Sequence, residues 1–221
     1  MQIYHLSLTL QDPVYFATRE LGRFYVTENY IHNYALTYAL GLAKSSYHDA
    51  EHIPHYQKDL EPLNNQGIYV TPARPVNFSY VTHTYKWADL RYHVQMEKSS
   101  VNLPTFGRIR ELAPESNFEA YIIASEKLAI PQWIRLGKWM SKVEIKFRTI
   151  SDFKENEGSF IVPFALNPMD VISTHNILSY DVINIPPVSL IKNAKLQGKY
   201  YQIDQDTKIT LPANMNYCFT D

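Results

Sequence analysis

Residues 127–148 carry Lys127, Arg135, Lys138, Lys142, Lys146 and Arg148 against Glu144 alone, a net charge of +5 in 22 residues. Trp133 and Trp139 stand among them. Cations interleaved with large aromatics suit single-stranded nucleic acid: the cations neutralise phosphates, and each stacked base contributes roughly 1–3 kcal/mol. Within the stretch, Ile134-Arg135-Leu136-Gly137-Lys138-Trp139 sets one glycine between two cations, where a phosphate can approach the backbone closely. A solvated charged face beside two core tryptophans is the plainer reading. A second pair, Arg19 and Arg23 around Gly22, precedes an expected helix start and is an anion-site candidate. Surface pairing of Arg19 with Glu20, or of Arg23 with Glu28, is its plainer reading.

Patterns for catalysis are weaker. His48-Asp49-Ala50-Glu51-His52 fits H-x-x-E-H, in which two imidazoles four residues apart hold zinc and the glutamate acts as base. That chemistry needs a helix and a third ligand. Here Ser45-Ser46 precedes and Pro54 follows, so a solvated loop is expected, with adventitious metal binding by His48, His52 and His55 as the rival. Nothing near Cys218 supplies a base or an oxyanion hole. Ser173-Thr174-His175 has no triad context, and His32 reads as a hydrogen-bonded core histidine. Eight His and 17 Tyr make chance pairs unavoidable, so acid–base cleavage of RNA stands only as an alternative.

Composition narrows the classes further. The chain has 221 residues, 45% of them hydrophobic, and enough length to bury a core without disulfides. Its net charge of −1 excludes a protein that coats nucleic acid or anionic membrane over its whole surface. Seven scattered glycines cannot build G-x-G-x-x-G or a P-loop, so no nucleotide cofactor is expected. The lone cysteine fits a reducing compartment. The start lacks a basic n-region with an apolar run, and the uncharged stretch Asn29–Ala43 is too short and polar to span a bilayer. A cytoplasmic protein without membrane contact is the expectation.

The elements that must position these residues can be read from period. Tyr4, Leu6, Leu8 and Leu10 alternate with His5, Ser7 and Thr9, predicting a half-buried first strand. Thr27 reads as the N-cap of a helix with Ile31, Tyr34, Ala35, Tyr38 and Leu42 on one face. Pro54 opens a second helix, ended at Pro62 and the turn Asn64–Gly67. Strands are expected at 68–71, 78–85, 118–124, 143–147, 160–162, 182–185, 199–203 and 208–211. Strands before and after early helices predict an α+β fold, helices packed on an antiparallel sheet, as one domain over 1–221. The polar segment 86–115, with Lys86, Trp87, Arg91, Lys98, Arg108 and Arg110, is far longer than an ordinary connection and predicts a projecting hairpin.

Several of these runs together carry a resemblance. The first strand, Phe16-Ala17-Thr18-Arg19-Glu20, Tyr30-Ile31-His32-Asn33-Tyr34-Ala35-Leu36 with Ala39-Leu40-Gly41, and Ile134-Arg135-Leu136-Gly137-Lys138-Trp139-Met140-Ser141-Lys142 resemble the type I-D CRISPR subunit that binds the crRNA 5′ handle, the Cas-five-type branch of the RAMP superfamily. The resemblance implies a ferredoxin-like, RNA-recognition-type antiparallel sheet with a protruding thumb. It implies a non-catalytic subunit of the Cascade ribonucleoprotein of antiviral defence. The partners implied are crRNA, the backbone and large subunits, and target DNA near the protospacer-adjacent motif. By that resemblance Arg135, Lys138 and Lys142 take tag phosphates, Gly137 and Lys146 belong to the same RNA-binding set, Trp139 packs or stacks, and Arg19 and Arg23 share the groove. Lys86, Trp87, Arg91 and Arg108 form the thumb contacts. Processing of repeat RNA by a metal-independent endoribonuclease is the alternative, and no cofactor or metal is implied.

Overall fold

The structure is a computed structural model that describes residues 1–44, 54–87, 105–204 and 208–219. The alternating start forms β1 (Gln2–Leu10), with Tyr4, Leu6, Leu8 and Leu10 buried as expected. It lies inside a six-stranded sheet with β4 (Ile68–Val70), β5 (Arg74–Asn77), β8 (Asn117–Ala124), β9 (Trp133–Leu136) and β10 (Ser141–Ile150), in the order β4-β8-β1-β10-β9 with β5 also on β8. The register sets Leu6 beside Ala120 and Phe147, Leu8 beside Phe118 and Ile145, and Leu10 beside Val143. Successive side chains alternate faces, so one face of this sheet is mostly apolar.

Two helices, α1 (Asn33–Ala39) and α2 (Tyr56–Asn65), add Tyr34, Leu36, Leu60 and Leu63 to the core that this face builds. Both depart from the sequence-based expectation. Thr27 does not cap α1: its hydroxyl accepts the Phe16 amide, its own amide goes to the Arg110 carbonyl, and Ile31 bridges to Ala73. The backbone from 27 to 31 is thus engaged in sheet-like pairing, and His32 caps instead. Its Nδ1 accepts the Tyr34 amide at 3.2 Å, so the ring proton lies on Nε2 and is donated to the Val188 carbonyl at 3.1 Å. Burial lowers the His32 pKa to about 4. In α2 the chain continues helically through Pro62, with Leu63 still buried beyond it, and turns only at Gly67.

A second sheet holds β11 (Lys154–Ile161), β12 (Asn176–Ile183), β13 (Leu190–Asp204) and β14 (Lys208–Pro212), with the short α3 (Met169–Ile172) before β12. A third holds β2 (Arg19–Leu21), β3 (Phe24–Val26), β6 (Tyr80–Trp87) and β7 (Thr105–Leu112), in the order β2-β3-β7-β6. Among the described residues 51% are in strands and 11% in helices, so the fold is mostly antiparallel β-sheet with a few helices. Between β8 and β10, residues 125–132, interrupted by Pro131, form no helix, and β9 lies in the connection. Of the polar excursion expected at 86–115, residues 88–104 lie outside the described residues. Its return arm from Thr105 is a sheet strand that pairs with β6 through Leu112 and in parallel with β3.

A buried polar network ties the parts together. The Asp170 carboxylate of α3 accepts Asn33 Nδ2 at 2.8 Å, the Tyr69 hydroxyl at 2.9 Å and the Cys218 amide at 3.1 Å. The Tyr217 hydroxyl accepts the Val70 amide and bonds Thr37, whose own hydroxyl goes to the Asn33 carbonyl. No cation joins this network, so burial pushes the Asp170 pKa up to about 7. The native state then holds a proton that the unfolded chain releases above the ordinary carboxylate range. Stability falls as pH rises from about 4 to about 7, by at most roughly 1.4 kcal/mol per pH unit from this group, and is level beyond. His32 acts in the opposite sense between its lowered value and its ordinary one, and masks much of the effect. Chemical denaturation of the protein and of Asp170→Asn across pH 4 to 8 separates the two: the wild type should lose stability relative to the variant as pH rises toward 7. A gap independent of pH would contradict the assignment.

Candidate nucleic-acid interface

The register that buries one face of the first sheet turns the basic residues to the other. Lys142 pairs with Arg135, Glu144 with Trp133, and Lys146 and Arg148 follow at the same two-residue period along β10. Trp133 is 47% exposed, and Lys142 Nζ sits 4.0 Å from its ring centroid. Such a contact contributes roughly 0.5–1 kcal/mol at an exposed site and leaves the ammonium open to an anion. Arg135 donates to the Met140 carbonyl at 3.2 Å. Among the described residues Arg135, Lys138, Lys142 and Arg148 make no ion pair, while Lys146 lies 3.7 Å from Glu144 in an exposed pairing worth little. An open cleft of about 320 Å³ runs beside β9, lined by Tyr38, Ala39, Trp133, Arg135, Met140 and Lys142. The loop after β11 covers the far part of this face, where Phe164 packs on Tyr121, while Ser7 and the β10 cations are exposed.

The turn between β9 and β10 carries Gly137, Lys138 and Trp139. Gly137 has φ +75°, and a Cβ there would lie 2.7 Å from the Tyr15 carbonyl oxygen. The close approach expected for a phosphate is therefore made by the chain itself. The Lys138 amide donates to the same Tyr15 carbonyl at 2.8 Å, leaving the Lys138 side chain exposed. Trp139 lies against Tyr15 at 5.1 Å and meets Tyr85 of β6 edge to face at 6.0 Å. Both tryptophans of the basic segment are surface residues rather than core.

The other candidates fall on the third sheet. Arg19 pairs with Glu28, Arg23 occupies the β2–β3 turn, and the Arg108 amide donates to the Arg23 carbonyl at 2.8 Å. Pairing puts Arg19, Arg108 and Arg110 on one face, with Arg110 stacked 4.4 Å over Tyr80. Tyr85, which meets Trp139, lies on the opposite face. Arg19 thus lies on the face of this sheet opposite to Trp139. Lys86 and Trp87 end β6 opposite Phe106 and Thr105. Arg91 and the His48–His52 run lie outside the described residues, and among the described residues no group of three potential metal ligands is gathered. No described helix is long and apolar enough to cross a membrane. Sequence reasoning missed the fully buried Glu111, which holds His83 Nδ1 beside Tyr85; only the hairpin register brings these residues together.

No curated protein sequence matches the chain. A crystal structure of a CRISPR protein from Archaeoglobus fulgidus superposes with a TM-score of 0.50 at 12% identity, covering 95% of this chain and 99% of that one. A cryo-EM structure of the Type III-B Cmr-beta bound to cognate target RNA and AMPPnP gives a TM-score of 0.43 at 10% identity, covering 87% and 86%. The family model described as type I-D CRISPR-associated protein Cas5/Csc1 matches residues 1–220. A match over that span leaves no separate region to explain: the chain belongs to the type I-D CRISPR-associated Cas5/Csc1 family.

Proposed function

We propose that this chain is the non-catalytic RNA-binding subunit of a cytoplasmic type I-D Cascade complex, holding the 5′ handle of the crRNA for antiviral defence. In this reading it caps the filament of backbone subunits beside the large subunit, near where the protospacer-adjacent motif of target DNA is read. Its sheet order β10-β1-β8-β4 is read as a ferredoxin-like unit without its second helix. The observation that carries the proposal is the outer face of β9 and β10, where Arg135, Lys142 and Arg148 stand without ion pairs among the described residues, with Lys138 in the adjoining turn, around an exposed Trp133. Cations spaced along a strand follow a phosphate backbone, and sequence choice is left to guide pairing. Protein neighbours are supported by Ile161, Ile172, Leu178, Tyr180 and Val182, each more than half exposed on the second sheet and α3.

One observation favours the endoribonuclease as a second reading: a buried carboxylate orienting an exposed imidazole, Glu111 with His83. Cleavage by acid–base chemistry needs a base and an acid on opposite sides of the phosphate, and His83 is the one imidazole among the described residues of that hairpin. We keep the non-catalytic reading.

Two tests follow. In the complex purified after co-expression with its partners, Arg135→Ala with Lys138→Ala should weaken RNA retention and lower the slope of log affinity on log salt by about 1.4, for two lost single-strand phosphate contacts. Undiminished RNA would remove this face from the interface. Repeat RNA incubated with the protein in chelator should stay intact; specific cleavage would establish the second reading.

A further inference from the structure

The aromatic face of the third sheet has a different chemistry from the basic hairpin beside it. Across it run Glu20, Tyr25, Ile109 and His83, paired in register, with Tyr85 next along β6 opposite Gly107. Gly107 has no side chain to cover the Tyr85 ring. Trp139 reaches onto this face from the β9–β10 turn, 44% exposed, and Tyr85 is 39% exposed. Tyr15 supports Trp139 from behind and is buried. Glu20 beside the Tyr25 hydroxyl raises its pKa.

His83 is the polar group of this face. Glu111 is fully buried, and its carboxyl shares a hydrogen bond with His83 Nδ1 that fixes the ring. That leaves Nε2 of a ring 46% exposed. The second oxygen of Glu111 has no hydrogen-bond partner. The exposed Glu20 makes the face unfavourable for a phosphate and favourable for hydrogen-bond donors, while the Glu111 carboxylate lies buried beneath it. Exposed rings with acceptors beside them match the flat surface and N–H edge of a nucleobase. The same chemistry would receive an arginine of a neighbouring protein. Lys138, adjacent to Trp139, exposed and without an ion pair among the described residues, repels such a cation and attracts the phosphate attached to a base.

We propose that Trp139, Tyr85 and His83, with Glu111 positioning the imidazole, form a seat for one unstacked nucleobase of bound RNA. The seat rests on the RNA-binding reading above and adds base contacts to its phosphate contacts. It places the base on one side of the β9–β10 turn and the backbone on the other.

The test uses the full-length protein and a short single-stranded RNA, with two readouts. Ultraviolet crosslinking followed by mass spectrometry of the unmodified protein should put a nucleobase adduct on His83, Tyr85 or Trp139. Binding titrations should show Trp139→Leu and Tyr85→Leu each weakening affinity roughly tenfold, the scale of one stacked base, with an unchanged salt slope because no phosphate contact is lost. His83→Gln, which keeps a donor toward Glu111, should weaken binding less than either. Adducts confined to other residues, with aromatic variants that bind as the wild type, overturn the seat; a weakened Arg135→Ala, Lys138→Ala protein in that experiment leaves the RNA-binding reading standing. Absence of any RNA binding overturns both. Protection of this face by a partner subunit after nuclease treatment, without adducts, assigns it to protein arginine and overturns the seat as well.

Discussion

A backbone contact holds the basic hairpin to the rest of the protein. Gly137 lies so close to the Tyr15 carbonyl that any side chain there would overlap it, and the Lys138 amide bonds that same oxygen. The Ser141 hydroxyl donates to the Pro13 carbonyl, and the Lys142 amide donates to Asp12. Segment 12–15 is in turn fixed to the third sheet, because Val14 and Leu112 exchange both backbone hydrogen bonds. One short stretch of chain therefore seats the β9–β10 turn and the β6–β7 hairpin together. The positions of Lys138 and Trp139, and the meeting of Trp139 with Tyr85, depend on it.

This arrangement separates two kinds of surface that the net charge of −1 averages away. Along β10 the cations face outward from a sheet whose other side is the core, so the cations gathered in one segment of the sequence also share one plane. Across the turn the surface becomes aromatic and acidic. A single strand lying over the turn would meet cations with its phosphates and rings with its bases, which is how unstacked RNA is ordinarily held. The exposed apolar residues of the second sheet lie on different elements from these, and that suits a subunit with protein on one side and RNA on another.

The parts legible in the sequence were those governed by short periods. The alternation of β1 and of Val143, Ile145 and Phe147 named the strands and their inward faces, and the excess of cations at 127–148 named the basic side. Competition for backbone donors was not legible: Thr27 is a good N-cap by type, yet its neighbours pair with β7 and with Ala73, so the helix waits for His32. Pro62 looked like a helix end because it lacks an amide proton, but the buried Leu60 and Leu63 hold the turn on both sides. Gly137 makes a close approach to the Tyr15 carbonyl of the chain itself, which the sequence pattern does not announce. Glu111, His83, Tyr85 and Trp139 come together only through strand register and the seating of one turn, and no local pattern announces that.

The central claim is that RNA lies along the outer face of β9 and β10. Lysine acetylation of the intact complex, compared before and after nuclease digestion of its RNA, tests this most directly. Lys138 and Lys142 should be protected while RNA is present and become reactive when it is removed, whereas Lys58, Lys154 and Lys195, exposed on other elements, should not respond to digestion. Equal reactivity of Lys138 and Lys142 in both states would contradict the account.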